Sequence, residues 1–185
     1  IILIFSFHSS LKANDIENFQ IEGISLFDSA LNFFTEDQIK NGKRNYYKNK
    51  EFTPVEINGL PFFKTYDSVD FEYKANDRNY KIYGLNGIID YSKNIDNCYD
   101  KMDSIVYELN NLLKNNAVKE KKKVLTHSID PTGKSKVTRV NFYFKDKSRV
   151  MVSCYDYSNE SGYQDHLGVA IKSKQVIDFL ARAYD

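Results

Sequence analysis

The sequence predicts an α+β fold, in which antiparallel β-hairpins and meanders form sheets with packed helices in two sequential halves. Three observations predict it. Apolar residues recur every three or four positions between residues 95 and 112, as one face of a helix requires. Apolar and polar residues alternate over residues 69–74, as in a half-buried strand. Further strand-like segments follow residue 123, and a last helical stretch follows them.

Two short helices are predicted near the start of the chain. Ser25 suits an N-cap position, and Asp28 stands three residues later as its capping partner. Thr35 and Gln38 repeat this pattern and begin the second helix, which Gly42 is placed to end.

A connection containing Pro54 and Pro61 precedes the first predicted hairpin, which covers residues 69–91. Its two strands are separated by a polar, turn-prone stretch. The returning strand contains Gly84 and Gly87, which indicate a bulge or a second tight turn.

The longest predicted helix follows Asn94, a suitable N-cap. Its continuous apolar stripe consists of Ile95, Cys98, Met102, Ile105, Leu109 and Leu112. The charged stretch that follows, residues 115–123, reads as an exposed connector.

The second half is predicted to contain four strands and a final helix capped by Ser173. The predicted strands cover residues 124–128, 136–144, 149–157 and 166–172. Residues 130–133, Asp-Pro-Thr-Gly, have the composition of a hairpin turn. They do not form a phosphate-binding loop, because Ser128 stands where that motif requires glycine and a strand follows Ser135.

The first residues of the chain indicate export. Ile1–Phe7 is an apolar run far too short to cross a bilayer, which takes about 20 residues. Small and polar residues follow, ending in Ala13, as at the cleavage site of a secretory signal peptide. We therefore expect residues 1–13 to be a signal peptide remnant; the alternative is a buried edge strand.

Residues 14–185 are predicted to form a single α+β domain, with a possible subdivision into 14–114 and 124–185. Residues 14–114 carry 12 Lys/Arg against 17 Asp/Glu, a net charge of −5, whereas residues 115–185 carry 13 against 8, a net charge of +5. Either the two halves dock on each other, or the second offers a basic surface to an anionic partner.

Composition excludes several classes of protein. The chain is 42% hydrophobic and 15% aromatic, which excludes a disordered protein. Its basic residues nowhere reach the density of a dedicated nucleic-acid binder, so we expect no nucleic-acid partner. No second apolar run is long enough to form a transmembrane segment.

The two cysteines are predicted to pair if the protein is exported. Cys98 lies on the apolar stripe of the longest helix, and Cys154 shares a strand face with Val150 and Val152. A helix packed on a sheet could bring these two side chains within bonding distance. An oxidising compartment would then join Cys98 to Cys154 in a disulfide.

One segment mixes aromatic and acidic residues in a way that suits ligand binding. It contains Tyr155, Asp156, Tyr157, Tyr163 and Asp165. Such residues could bind a sugar, through ring stacking and hydrogen bonds, or Ca²⁺ through oxygen ligands. The alternative is a polar loop whose tyrosines close over the edge of the sheet.

Few residues are available for catalysis or metal binding. Without the first 13 residues, the chain retains His127 and His166 as its histidines. No HxxxH or CxxC spacing indicates a metal site, so we predict no metal and no cofactor. A hydrolase using His127 or His166 is the alternative to a non-catalytic protein.

The segment "FQIEGISLFDSALNFFTEDQIKNGKRNYY" resembles the start of a group of small exported proteins from SAR11-type marine alphaproteobacteria. The similarity continues through "LPFFKTYDSVDFEYK", "YKIYGLNGII", "NIDNCYDK", "GKSKV" and "CYDYS". It implies export from a bacterial cell and no particular activity. A local likeness to BamE-like envelope lipoproteins covers Gly23, Ile24, Ser25 and the two short helices, but the lipid-bearing cysteine of those proteins is absent.

Taken together, the sequence predicts an exported, soluble periplasmic binding or interaction module without catalytic activity. Its partner would be a periplasmic or envelope protein, or a small ligand.

Overall fold

The protein is described here by a computed structural model covering residues 16–92, 94–128 and 130–184, so the predicted signal peptide remnant lies outside the described residues. The helices are α1 (Glu36–Gly42), α2 (Ile95–Leu113) and α3 (Lys174–Leu180). The strands are β1 (Gln20–Ile21), β2 (Ile24–Ser25), β3 (Phe52–Asn58), β4 (Ser68–Lys74), β5 (Ile82–Asp90), β6 (Ala117–Lys119), β7 (Lys123–Thr126), β8 (Lys136–Phe144), β9 (Arg149–Asp156) and β10 (His166–Lys172). The predicted α+β class is confirmed.

Eight of the strands in the described part of the chain form one antiparallel sheet. Its order is β3-β4-β5-β10-β9-β8-β6, and β7 pairs with β8 beside β6. Two three-stranded meanders, β3-β4-β5 and β8-β9-β10, meet where β5 pairs with β10. The strands of the two sequential halves are therefore continuous with each other, while β1 and β2 form a separate small pair.

One face of the sheet, which we call the helix face, carries the main hydrophobic core. On β8, β9 and β10 its residues alternate along each strand and are almost fully buried: Val140, Phe142, Val150, Val152, Cys154, Leu167, Val169 and Ile171. Helix α2 packs over β9 and β10 through the apolar stripe that the sequence predicts. The described residues before α1, 16–35, pack over the β3-β4-β5 meander, where the ring of Phe34 stacks on that of Phe71 with centroids 5.6 Å apart.

The predicted disulfide is present on the helix face. Cys98 of α2 is bonded to Cys154 of β9, with Cα atoms 6.0 Å apart and both residues fully buried. The bond joins the helix of the first half to a strand of the second half. Such bonds persist in oxidising compartments, so the disulfide is compatible with export.

The opposite face, which we call the polar face, carries a row of residues paired across six strands. In order from β3 to β8 the row is Glu56, Asp70, Asn86, Ala170, Met151 and Asn141. Beside this row, Lys172 donates to both carboxylate oxygens of Glu72 at 2.6 Å, and both side chains are buried. The row is therefore mostly polar, with Ala170 and Met151 as its two apolar members.

Helix α3 packs against one end of the sheet. Phe179 contacts the rings of Tyr47 and Phe52, each with a centroid separation of 5.0 Å. Ser173 caps the helix as predicted, accepting a hydrogen bond from the backbone N–H of Val176.

The first of the two predicted short helices is wrong. Ser25 ends β2, and the helical turn begins later, at Ala30, capped by Ser29. The reason is a pairing distant in sequence: the backbone of Phe27 and Asp28 hydrogen-bonds to Ile82 of β5. The second helix is confirmed, with the capping box of Thr35 and Gln38 that its sequence predicts.

Three further expectations differ from the structure. Residues 117–119 of the predicted connector form β6 and pair with β8. Pro54 lies inside β3 rather than in a connection; β3 is an edge strand, where a residue without an N–H is tolerated. Gly87 lies within β5 rather than in a turn. Glycine suits this position because the ring of Tyr66 covers it, and an added Cβ would come within 2.5 Å of that ring. A register irregularity does occur between β4 and β5, beside Gly84.

Candidate functional site

Five aromatic side chains form a cluster at one end of the polar face. The aromatic cluster consists of His127, Tyr155, Tyr157, Tyr163 and His166. Tyr155 and His166 stack with centroids 4.4 Å apart, and the rings of Tyr155 and Tyr157 are nearly parallel at 6.1 Å. The structure thus joins three tyrosines from the predicted aromatic segment to both histidines.

The alternation of β9 and β10 places this cluster on the polar face. Tyr155 follows Cys154, which points to the helix face, and His166 precedes Leu167, which does the same. Tyr155 and His166 are directly paired across the two strands. Tyr163 is 51% exposed, so part of the cluster is open to a ligand.

The two acidic residues of the predicted segment have other roles. Asp156 points to the helix face, where its carboxylate accepts a hydrogen bond from the hydroxyl of Tyr99 on α2 at 3.3 Å. Asp165 accepts a hydrogen bond from the backbone N–H of Tyr157 at 2.6 Å. Asp165 therefore positions the backbone beneath the cluster. Among the described residues, no group of three or more His, Cys, Asp or Glu could bind a metal ion.

A buried carboxylate fixes the loops that carry the cluster. Asp130 accepts hydrogen bonds from the hydroxyls of Thr132, Ser135 and Ser158 at 2.7–2.8 Å. The hydrogen bonds from Ser135 and Thr132 hold the pKa of Asp130 well below its usual range. Because Ser158 directly follows Tyr157, this one carboxylate ties the turn before β8 to the aromatic cluster.

Burial changes the protonation of the cluster. Burial lowers the pKa of His166, and burial together with Arg139 lowers the pKa of His127. Both imidazoles are therefore predominantly neutral near pH 7. Burial and the neighbouring tyrosines raise the pKa of Tyr157, which remains a neutral hydroxyl. The cluster offers uncharged rings, hydroxyls and imidazole nitrogens to a ligand.

The cluster continues into the polar row through a glycine. A Cβ added at Gly168 would lie 3.2 Å from Oδ1 of Asn86 and 3.4 Å from a ring carbon of Tyr155. Glycine thus leaves room for both side chains above β10. Asn86 is also paired across the strands with Asp70, its neighbour in the row.

Asp70 is the residue of this site that the sequence analysis missed. Burial, and then the charge of Glu56, raises the pKa of Asp70 to about 7. From sequence, Asp70 is one polar residue alternating along a half-buried strand, which indicates a solvent-facing side chain. Its position between Glu56 and Asn86 depends on the pairing of adjacent strands, which the structure shows.

A separate open pocket lies where β5 meets α2. It has a volume of about 620 Å³ and is lined by Asp67, Asp90, Tyr91, Ser92, Asn94 and Asn97. Its acidic groups serve the local backbone: Asp67 accepts from the N–H of Asp90, and Asp90 accepts from Ser92. Asn94 caps α2. The pocket walls therefore already have a structural function.

No family model, curated protein or solved structure matches this chain. The resemblances to SAR11-type exported proteins and to BamE-like proteins therefore remain predictions. No described helix is long and apolar enough to cross a membrane.

Proposed function

We propose that this protein is an exported, soluble periplasmic binding module without catalytic activity, and that the aromatic cluster is its ligand site. The observation that carries the proposal is the convergence of three tyrosines and two histidines at one end of a polar sheet face, next to Asn86 and Asp70. Aromatic rings beside a few oriented polar groups are typical of small-ligand sites. The Cys98–Cys154 disulfide supports the exported location.

Tyrosine fluorescence tests this proposal. The chain has 14 tyrosines and no tryptophan, so tyrosine emission is not masked. We expect a ligand from a screen of neutral, anionic and cationic small molecules to change the emission and raise the melting temperature. Tyr155→Ala and Tyr157→Ala should abolish both responses.

Tyr107→Ala is the matched control. Tyr107 is 70% exposed on α2, the helix that packs on the opposite face. Its substitution should leave both responses intact. A screen in which no ligand class acts through Tyr155 or Tyr157 would contradict the proposal.

The alternative function is hydrolysis by His127 or His166. One observation favours it: both neutral imidazoles lie against the ring of Tyr157, with centroids 5.3 and 5.8 Å away. A neutral imidazole can act as a general base. Turnover of p-nitrophenyl esters that His166→Ala abolishes, while the protein remains folded, would replace the binding module with an enzyme.

A further inference from the structure

The two edges of the large sheet differ in what covers them. At one edge, the segment before β3 lies along that strand, and the backbone N–H of Arg44 donates to the C=O of Pro54 at 2.9 Å. At the other edge, β6 and β7 lie one after the other along β8. In the described part of the chain, no strand pairs with their outer side. We call this second edge, residues 117–126, the open edge.

The backbone of β7 directs hydrogen-bonding groups away from the sheet. The N–H of His127 donates to the C=O of Ser135 at 3.0 Å, which fixes the alternation along β7. In an antiparallel pair, every second residue bonds to the neighbouring strand. Leu125 therefore bonds to β8, whereas the N–H and C=O groups of Val124 and Thr126 face outward. All four residues of β7 are exposed, so a further strand can reach these groups.

Apolar side chains flank the open edge on both faces of the sheet. Val124 is paired with Thr138, which is itself paired with Cys154 of the helix face. Leu125 and Val118 lie on the polar face, by the alternation of the strands. Val118 is 73%, Val124 66% and Leu125 44% exposed. A strand added here would place side chains alternately on the two faces and cover these residues.

The open edge also carries a run of lysines. Residues 119–123 contain four lysines and one glutamate, a net charge of +3. Two of the lysines are paired with carboxylates inside the protein. Lys119 and Lys121 are exposed and form no ion pair with any described residue. Two copies paired through this edge would bring two such runs together, so the lysines oppose self-pairing, whereas an acidic strand is attracted.

The combination of these groups selects an extended peptide over other anionic partners. A nucleic acid or an anionic membrane would use the lysines alone. It would leave the outward backbone groups of β7 and the apolar side chains on both faces without a role. Strand addition uses all three, because backbone hydrogen bonds give affinity and side chains give specificity.

We propose that the open edge binds an extended, acidic segment of another protein, which adds to the sheet as a further strand. The outward groups of β7 hydrogen-bond to the backbone of that segment, and its carboxylates pair with Lys119 and Lys121. Its apolar side chains cover Val124 and Leu125. This inference goes beyond the proposed function, because it adds a protein partner at the edge of the sheet rather than a ligand at the aromatic cluster.

The test is an array of octapeptides that combine valine with glutamate in every order, with matched arrays that contain lysine or serine in place of glutamate. We expect the glutamate peptides to bind, and the affinity to fall about tenfold when lysine replaces glutamate. Amide hydrogen exchange followed by NMR should show that Val124 and Thr126 exchange rapidly in the free protein and are protected in the complex.

A charge-reversal variant tests the lysines. Lys119→Glu/Lys121→Glu should weaken binding of the glutamate peptides about tenfold and shift the preference to the lysine peptides. Lys48→Glu/Lys64→Glu is the matched control, because it changes the net charge equally. Both of its lysines are exposed and lie beside β3, at the far side of the sheet. The control should keep the preference for glutamate.

A backbone variant tests strand addition itself. Val124→Pro removes one outward N–H and no bond to β8, so it should weaken binding about tenfold, the loss expected for one hydrogen bond. Val124→Ile keeps both the N–H and the apolar side chain and should keep the affinity. Melting temperatures identify a variant that fails to fold. In that case, glutamate peptides methylated on each backbone nitrogen in turn test the natural protein, and binding should be lost at alternate positions.

Several outcomes would overturn the inference. Protection of the Val124 amide in the protein without peptide would mean that the edge is already paired, either within the chain or with a second copy. Equal binding of glutamate peptides, single-stranded DNA and phosphatidylglycerol vesicles, without protection of Val124, would reduce the open edge to a patch of charge. An array in which no glutamate peptide binds would also overturn it.

Discussion

Phe142 and Asn141 are neighbours on β8 and point to opposite faces of the sheet. Phe142 is 1% exposed on the helix face, surrounded by apolar side chains. Asn141 is 7% exposed on the polar face, and one of its two polar atoms has no partner. Both residues are buried. Burial of the apolar Phe142 stabilises the fold, whereas burial of an unpaired polar atom of Asn141 costs free energy. The helix face is built for stability, whereas the polar face retains hydrogen-bonding groups that have no partner within the protein.

Truncating each neighbour tests this difference most directly. Phe142→Ala should lower the free energy of unfolding by about 3–5 kcal/mol, because it leaves a cavity in the core. Asn141→Ala should change it by less than about 1 kcal/mol, since the loss of the bond to Glu120 is offset by removal of an unpaired oxygen. Urea unfolding followed by circular dichroism measures both values. Equal losses for the two variants would show that the faces do not differ in this way.

Removing the disulfide tests how much the covalent link between α2 and β9 on the helix face contributes to stability. The Cys98→Ala/Cys154→Ala double variant should lose about 4 kcal/mol of unfolding free energy, because the bond spans a sequence separation of 56 residues. Reducing agent should destabilise the natural protein and leave the double variant unaffected. Ligand binding at low temperature should be retained, since the bond lies on the opposite face. A double variant that is folded but no longer binds would break the division between the faces.

Much of the fold could be predicted from the sequence because its information is local. The apolar period of α2, the alternation of β4, β8 and β10 and the capping box at Thr35 each depend on residues within a few positions of one another. The errors arose where a distant strand decides the conformation. Residues after Ser25 form a turn rather than a helix because Phe27 and Asp28 pair with Ile82. Pro54 lies in a strand because β4 offers it a partner and β3 is at an edge.

The same distinction applies to the candidate site. Tyr155, Tyr157 and Tyr163 could be found from sequence because they stand together in one segment. Asp70 and Asn141 could not, since each is a single polar residue on an alternating strand. Their significance depends on cross-strand register, which places them on one row. Spacing along the chain contains no trace of that row.

The buried ion pair offers a way to sharpen the comparison, because it places two charges, each the partner of the other, on the polar face. Lys172→Met should cost about 3 kcal/mol, since it leaves the carboxylate of Glu72 buried without its cation. Adding Glu72→Leu should recover most of that loss, because no buried charge then remains. Thermal and urea unfolding of the two variants measure the effect. A double variant as unstable as the single one would mean that packing at these positions, rather than charge, is what matters.

The smallest expected effect concerns Asp70 and the pH dependence of stability. Its pKa is about 7 in the folded protein against 3.8 for an ordinary aspartate. The folded state therefore holds the proton more tightly, and the stability from protonated Asp70 is fully present below about pH 4 and decreases as pH rises through 7. Between pH 6 and pH 8 the expected loss is about 1 kcal/mol. Asp70→Asn cannot ionise, so the difference in unfolding free energy between the natural protein and this variant isolates Asp70 from His127 and His166, which both proteins retain. Asp100→Asn, on the exposed surface of α2, should keep the natural pH profile. If the Asp70→Asn profile parallels that of the natural protein from pH 6 to pH 8, Asp70 is not the perturbed carboxyl on which the polar face depends.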